Sequence, residues 1–339
     1  MLSRDGQILK SRPLHIVIGL VCAMLFLALS LHRSSFESVG TALTHANPVW
    51  LTAAIVMYAI NLLLRAFRWQ MILRPAAEIP YSAIARVLVA GYGMNNIMPA
   101  RLGELFRADF LKNSAGLSRS AGLASIIVER LFDGFAVVGC LGLGLLLASW
   151  SRYPSHLLVE LLIGGTLLFG TLLAAVLWFG RLPLEAATAR YPKLAEKFGA
   201  VQQGFAILQT RQSLTIAMLT VLVYVPDALT LWLIVKALGL GLAFSGTLVL
   251  VGVASLSTLL PSGPAFLGTL QFAYVLGIEF AGGQAALGIA AATLVQLGVY
   301  LPVSIIAGGI LAHGSGAALY AAFAVRRNSE ASAVSRVHS

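Results

Sequence analysis

Apolar residues run along this chain in long stretches separated by short polar segments. Stretches near 14–31, 49–67, 121–149, 157–180, 214–237 and 284–312 are each about the length a helix needs to cross a hydrocarbon core, which takes roughly 20 apolar residues. Two further apolar stretches, 81–99 and 245–281, are interrupted. Asn95, Asn96 and Pro99 break the first, and Pro261-Ser262-Gly263-Pro264 breaks the second. Backbone that leaves the helix at membrane depth is tolerated only where protein buries it or where it lines a cavity. Both stretches therefore read as re-entrant hairpins. For the second, two short full spans, 245–261 and 265–281, are the alternative. The pattern predicts an all-α polytopic integral membrane protein with about six transmembrane helices and two re-entrant hairpins.

The order of elements repeats. Residues 1–150 read span, span, interrupted segment, span, and so do residues 151–313, with a polar tail at 314–339. One half starts on the cytoplasmic side and the other outside, which makes an inverted repeat. Transporters built this way place their site between the broken segments.

Composition agrees with this reading. The 339 residues are 58% hydrophobic and 11% charged, with a mean hydropathy of +0.87, against about a quarter charged in soluble domains. The formal net charge of +10 comes from basic residues scattered between apolar stretches. That argues for cytoplasmic loops facing anionic headgroups and against nucleic-acid binding. Basic residues recur in every second loop: Arg4, Lys10 and Arg12; then Arg65, Arg68 and Arg74; then Arg181, Arg190, Lys193, Lys197 and Arg211; then Arg326, Arg327 and Arg336. Both termini are expected in the cytoplasm. The first stretch is long for a signal peptide and more spans follow, so it reads as a retained helix. Cys22 and Cys140 lie inside apolar stretches and form no metal or disulfide pattern. The six histidines are scattered, and no phosphate-binding loop, HExxH or GxSxG motif occurs, so no metal, cofactor or catalytic residue is expected.

Charge inside apolar segments marks the candidate site. The densest run is Asn95-Asn96-Ile97-Met98-Pro99-Ala100-Arg101-Leu102-Gly103-Glu104-Leu105-Phe106-Arg107. A helix resuming after Pro99 sets Arg101, Glu104 and Arg107 in an i, i+3, i+6 row at the cytoplasmic mouth of the first hairpin, where guanidiniums can grip a lipid phosphate. An interfacial charge ladder is the plainer reading of that row. In Glu129-Arg130-Leu131-Phe132-Asp133, Arg130 can answer Asp133, and Glu129 needs a cation such as Arg101 or Arg107. Counting back from Trp150 at 1.5 Å per residue sets Asp133 roughly 25 Å from that end. Asp227 stands alone mid-span after Pro226, which suggests proton coupling, cation recognition or a protonated acid. Gln296 reads as hydrogen-bonding glue between helices.

Asn95, Pro99, Arg101, Gly103-Glu104 and Arg107, followed by Glu129-Arg130 and Asp133 and then by Pro261-Ser262-Gly263-Pro264 and Gly268, resemble the motifs of a flippase-like membrane protein family. That family is related to the transmembrane region of lysylphosphatidylglycerol synthase. The resemblance covers nearly the whole chain. It departs at Ala265, where the family often has glycine, and at Gln271, where many members have glutamate. Some members are linked to hopanoids, polyprenyl-linked sugars or aminoacylated phospholipids. The resemblance implies a stand-alone flippase-like protein of the bacterial cytoplasmic membrane that is not an enzyme. It implies Asn95, Pro99, Arg101, Glu104, Arg107, Glu129, Arg130, Asp133, Pro261 and Gly268 as substrate-handling residues, to which the polar pattern adds Asn96 and Asp227 and the departing position adds Gln271, with membrane lipids, an anionic lipid substrate and lipid-biosynthesis enzymes as partners. A transferase acting on a lipid phosphate and a non-catalytic member of a lipid-synthesis complex are the competing expectations.

Overall fold

The computed structural model describes residues 20–32, 34–98, 102–148, 156–182, 192–260 and 262–312, and among them every regular element is helical. In chain order these are α1 (Leu20–Leu31), α2 (Phe36–Thr44), α3 (Pro48–Leu73), α4 (Tyr81–Ile97), α5 (Leu102–Ala115), α6 (Arg119–Leu147), α7 (His156–Gly180) and α8 (Pro192–Phe205). They continue with α9 (Gln212–Ala237), α10 (Phe244–Ser257), α11 (Thr269–Phe280), α12 (Ala285–Val295) and α13 (Leu301–Ala312).

Five helical spans are long and apolar enough to cross a bilayer: α3, α6, α7, α9 and the continuous run Ala285–Ala312 made by α12 and α13. The bent pair α1 and α2 can supply a sixth. Local sequence sets their starts. The Asn47 side chain accepts from the Val49 N–H at 2.9 Å with Pro48 at the first helical position, and Ser118 caps α6 through the Ala121 N–H at 3.1 Å, both favoured helix starts. α7 buries only a thin stripe, Leu158, Gly165, Phe169 and Val176, and leaves leucines such as Leu167 and Leu168 exposed. A helix apolar all round with one packed stripe faces lipid on the rest. The chain is an all-α, multi-pass membrane protein.

The two interrupted segments form helical hairpins. In the first, α4 runs unbroken through Asn95 and Asn96, and α5 returns beside it. This differs from a hairpin confined to 81–99: the second arm is Leu102–Ala115. The asparagines sit inside a helix because their side chains are bonded. Asn95 Oδ1 accepts from the Gly103 N–H at 2.8 Å. Asn96 Nδ2 donates to the Tyr300 carbonyl at 3.2 Å and to Ser304 Oγ at 3.3 Å. A Cβ on Gly103 would stand 1.9 Å from the Gly91 carbonyl oxygen, so the arms touch backbone to backbone. The second hairpin pairs α10 with α11. At about 1.5 Å per residue the 14 residues of α10 reach only about 21 Å, short of a full crossing of about 30 Å.

The hairpins cross-pack. α4 of the first lies against α13, with Gly93 over Ala307, and α10 of the second lies against α6, with Gly144 over Val249 and Gly252 over Leu141. Small residues permit these close approaches. Between them α3 and α9 run antiparallel in extensive contact. Asn47 N–H donates to the Ala237 carbonyl at one end, and Arg68 reaches Thr220 toward the other. The segment 181–211, expected as a loop, contains α8, which seats Gly204 against Ala124 of α6.

Candidate functional site

Three helices present polar side chains at helical spacing toward one another, and α5 adds a fourth set. α3 carries Asn61, Arg65 and Arg68; α6 carries Glu129, Arg130 and Asp133; α9 carries Thr220, Tyr224 and Asp227; α5 carries Glu104 and Arg107. Spacings of three, four and seven set the α3, α5 and α9 groups each on one helix face, and on α6 they pair Asp133 with Glu129 and with Arg130.

These groups form one connected chain of opposite charges. Asp227 lies 3.5 Å from Arg65, whose other terminal nitrogen is 3.6 Å from Asp133. Asp133 accepts from Arg68 at 2.7 Å, and Arg68 reaches Glu129 at 3.5 Å. Glu129 in turn accepts from Arg107. Arg130 faces three acids, Glu104 at 3.3 Å, Asp133 at 3.4 Å and Glu129 at 3.6 Å. Among the described residues four guanidiniums meet four carboxylates, a neutral set when all are ionised. A single charge at the centre of a membrane helix costs roughly 2.5–3.5 kcal/mol on insertion scales, and mutual pairing offsets that.

Neutral groups complete the cluster. Arg65 Nε donates to Asn61 Oδ1 at 2.7 Å, and Asn61 Nδ2 donates to the Val223 carbonyl at 2.7 Å. That carbonyl lies on the turn where Pro226 removes a helical donor. Arg68 donates to Thr220 Oγ1 at 3.1 Å, the Tyr92 hydroxyl donates to Glu129 at 3.5 Å, and the Tyr224 hydroxyl donates to the Asp133 carbonyl at 3.3 Å. The Arg107 guanidinium lies 3.9 Å over the Trp69 ring, a cation–π contact.

Exposure is graded along the chain of charges. The side chains of Arg68, Arg107 and Glu129 are fully buried, whereas Glu104 is 22% exposed, Asp227 22% and Arg130 30%. The cluster thus opens at two ends, one at Arg130 and Glu104, the other at Asp227.

Several expectations change here. Asp227 does not stand alone, because Arg65 reaches it from α3. Arg107 does not line an open mouth; its side chain is fully buried between Glu129 and Trp69. Arg65 and Arg68 are not loop charges, being 8% and 0% exposed inside α3. The segment after that span thus loses two of the basic residues that marked it as cytoplasmic. Other expectations hold in geometry. Arg107 is the cation that answers Glu129, and Arg130 pairs with Asp133 at i, i+3. Pro99, Arg101 and Pro261 lie outside the described residues.

Asn95, Asn96, Gly268 and Gln271 are not in the ion cluster; they hold the hairpin breaks. Gly268 N–H donates to Gln271 Oε1 at 2.7 Å, Gln271 Nε2 donates to Gln296 Oε1 at 2.8 Å, and Gln296 Nε2 donates to the Ala265 carbonyl at 3.0 Å. Ala265 and Phe266 have φ of 52° and 57°, and Gly268 has φ of 84°, a run of left-handed backbone that only glycine adopts without strain. A Cβ at Gly268 would also collide with the Ala23 carbonyl of α1. Gln296 begins a single π turn ending at Tyr300. Pro302 follows, and the missing proline N–H suits such a turn.

Sequence reasoning missed Asn61, Tyr92, Thr220 and Tyr224, and it read Arg65 and Arg68 as loop charges. The spacing Asn61, Arg65, Arg68 at i, i+4, i+7 was the available signal. It continues the helical period past residue 67 instead of ending it.

Comparison with known proteins bears on identity. A glycosyltransferase, AglD, of Haloferax volcanii is 33% identical over 136 residues, covering 39% of this chain and 21% of that protein. A UPF0104 membrane protein of Methanocaldococcus jannaschii is 26% identical over 205 residues, 57% of this chain and 84% of the relative. Another, of Methanothermobacter thermautotrophicus, is 24% identical over 306 residues, 83% and 88% of the two chains. The chain spans only about a fifth of the glycosyltransferase's length. The expectation that the chain is not an enzyme is overturned by that relative, whose name is an enzyme's. Residues 16–307 match the family model described as the lysylphosphatidylglycerol synthase TM region, and with the multi-pass helical fold this shows that the chain belongs to that family.

Proposed function

We propose that the protein moves an anionic lipid across a cytoplasmic membrane, with the ion cluster handling the headgroup. The observation that carries this reading is Arg130. Of the cluster's four arginines it has the most open side chain, 30% exposed, and its acid contacts are all 3.3 Å or longer. A phosphate can compete for such a guanidinium, and guanidinium binds phosphate bidentately. Glu104, Glu129 and Asp133 hold Arg130 in place and restore neutrality when the lipid leaves. Arg65, Arg68 and Arg107 brace the acids from the buried side.

The cross-packing of α4 on α13 and of α10 on α6 supports an inverted repeat with halves at 1–150 and 151–313, each with a hairpin that does not cross the bilayer. The headgroup passes between the hairpins while the tails stay in lipid. Both termini face the cytoplasm, and lipid-biosynthesis enzymes supply or consume the cargo.

Purified protein reconstituted with a labelled anionic phospholipid or polyprenyl phosphate tests this by outer-leaflet quenching. Wild type is expected to remove leaflet protection quickly and Arg130→Glu to abolish the effect. Equal rates in the two proteins would sink the assignment.

A second reading, a membrane transferase acting on a lipid phosphate, is favoured by the glycosyltransferase-named relative. It predicts a chemically altered lipid in extracts of the same proteoliposomes, dependent on a donor and a divalent ion. Unaltered lipid with fast leaflet exchange would exclude it.

A further inference from the structure

The second open end of the cluster leads into a cavity. We infer that this cavity binds a monovalent cation of sodium size, with Asp227 as its charged ligand. The cavity, of about 80 Å³, lies between α3, α9, α10, α11 and the π turn, and Asp227 shares its lining with the hydroxyl residues Tyr58, Ser255, Thr258, Tyr274 and Tyr300. That space holds an ion with a few waters and is small beside a lipid headgroup.

The lining chemistry selects the ion. The cavity's polar side chains are one carboxylate and hydroxyls, a hard, oxygen-only donor set, placed among the apolar Leu231, Val251, Ala254, Leu270, Val295 and Val299. Ser255 and Thr258 sit at the C-terminal end of α10, which closes at Ser257. That end carries the negative pole of the helix dipole, and it turns toward the cavity. An anion is repelled by both features. A divalent ion finds a single carboxylate already shared with Arg65 at 3.5 Å, too little charge to replace its hydration.

The site is joined to the headgroup end through two residues. Arg65 spans Asp227 and Asp133, and Asp133 also holds Arg130 at 3.4 Å. A cation that claims Asp227 leaves the cluster one positive charge in surplus, which favours an anion at Arg130. By linkage an anion at Arg130 tightens the cation equally. This coupling rests on the proposed function, whereas the cation site does not.

The test is thermal unfolding of the full chain in detergent, in sodium, potassium or choline chloride at one fixed ionic strength. Wild type is expected to gain melting temperature saturably with sodium, as a ligand bound only by the native state requires. Ser255→Ala is expected to shift the half-saturation upward by roughly tenfold. Asp227→Asn is expected to unfold cooperatively with no sodium response. Equal curves in the three salts, or a sodium response kept by Asp227→Asn, would overturn the site. A response to pH alone would replace the cation with a proton and overturn it too. Binding of phosphatidylglycerol in mixed micelles, with and without sodium, then separates the two ideas. A sodium response in melting with no change in lipid affinity removes the coupling. Lipid translocation by a protein whose melting shows no sodium response removes the cation site and leaves the headgroup reading standing.

Discussion

Arg107 on α5 donates to Glu129 on α6 while its guanidinium lies 3.9 Å over Trp69 of α3. One side chain thus ties the returning arm of the first hairpin to two spans, with no exposure at either end of the ion pair. Removing one member of a buried pair leaves the other charge stranded. Glu129→Gln is expected to lower stability by about 3–5 kcal/mol, and adding Arg107→Met should restore part of it. Melting of the purified single and double variants checks this; additive losses would show that the two residues do not act as a pair.

An exposed ion pair supplies the contrast. Arg119 and Asp109 meet at 2.8 Å with side chains 51% and 44% exposed. Arg119→Ala is expected to change stability by about 0.5 kcal/mol or less, because water and salt screen such pairs. A loss comparable to that of Glu129→Gln would mean burial is not what gives the cluster its weight.

Gly103→Ala should disrupt the first hairpin. Its Cβ would meet the Gly91 carbonyl at 1.9 Å and Asn95 Oδ1 at 2.7 Å, whereas a Cβ at Gly139 meets nothing within 4 Å. We expect Gly103→Ala to cost about 2 kcal/mol or more through forced backbone separation, and Gly139→Ala to be neutral or slightly stabilising. Monodisperse yield after extraction, followed by melting, distinguishes them.

Ala265 is a strained residue at a functional-looking break, with φ of 52°. Glycine adopts this conformation without strain, so Ala265→Gly is expected to stabilise the fold by about 0.5–1 kcal/mol. A loss of stability would mean the methyl group contributes packing that outweighs the backbone strain.

The apolar stretches were enough to read the five long spans among the described residues, because a bilayer demands length and hydrophobicity and little else. Charges inside those spans were legible for the same reason: Glu129, Arg130, Asp133 and Asp227 stand out against lipid. Arg65 and Arg68 did not, because a cation near the end of an apolar stretch looks the same whether it snorkels to water or turns inward.

Only the tertiary arrangement decides between those outcomes. α3, α6 and α9 converge from distant parts of the chain, and the partner of Asp227 lies 162 residues away. No local pattern encodes that pairing. The same holds for Arg107, whose spacing from Glu104 suggested an open row, yet whose burial follows from the return of α5 against Trp69. Local hydrophobicity determined what crosses the membrane. Which charges meet inside it was decided by helix packing, since in a low-dielectric interior each buried charge must find its opposite through space.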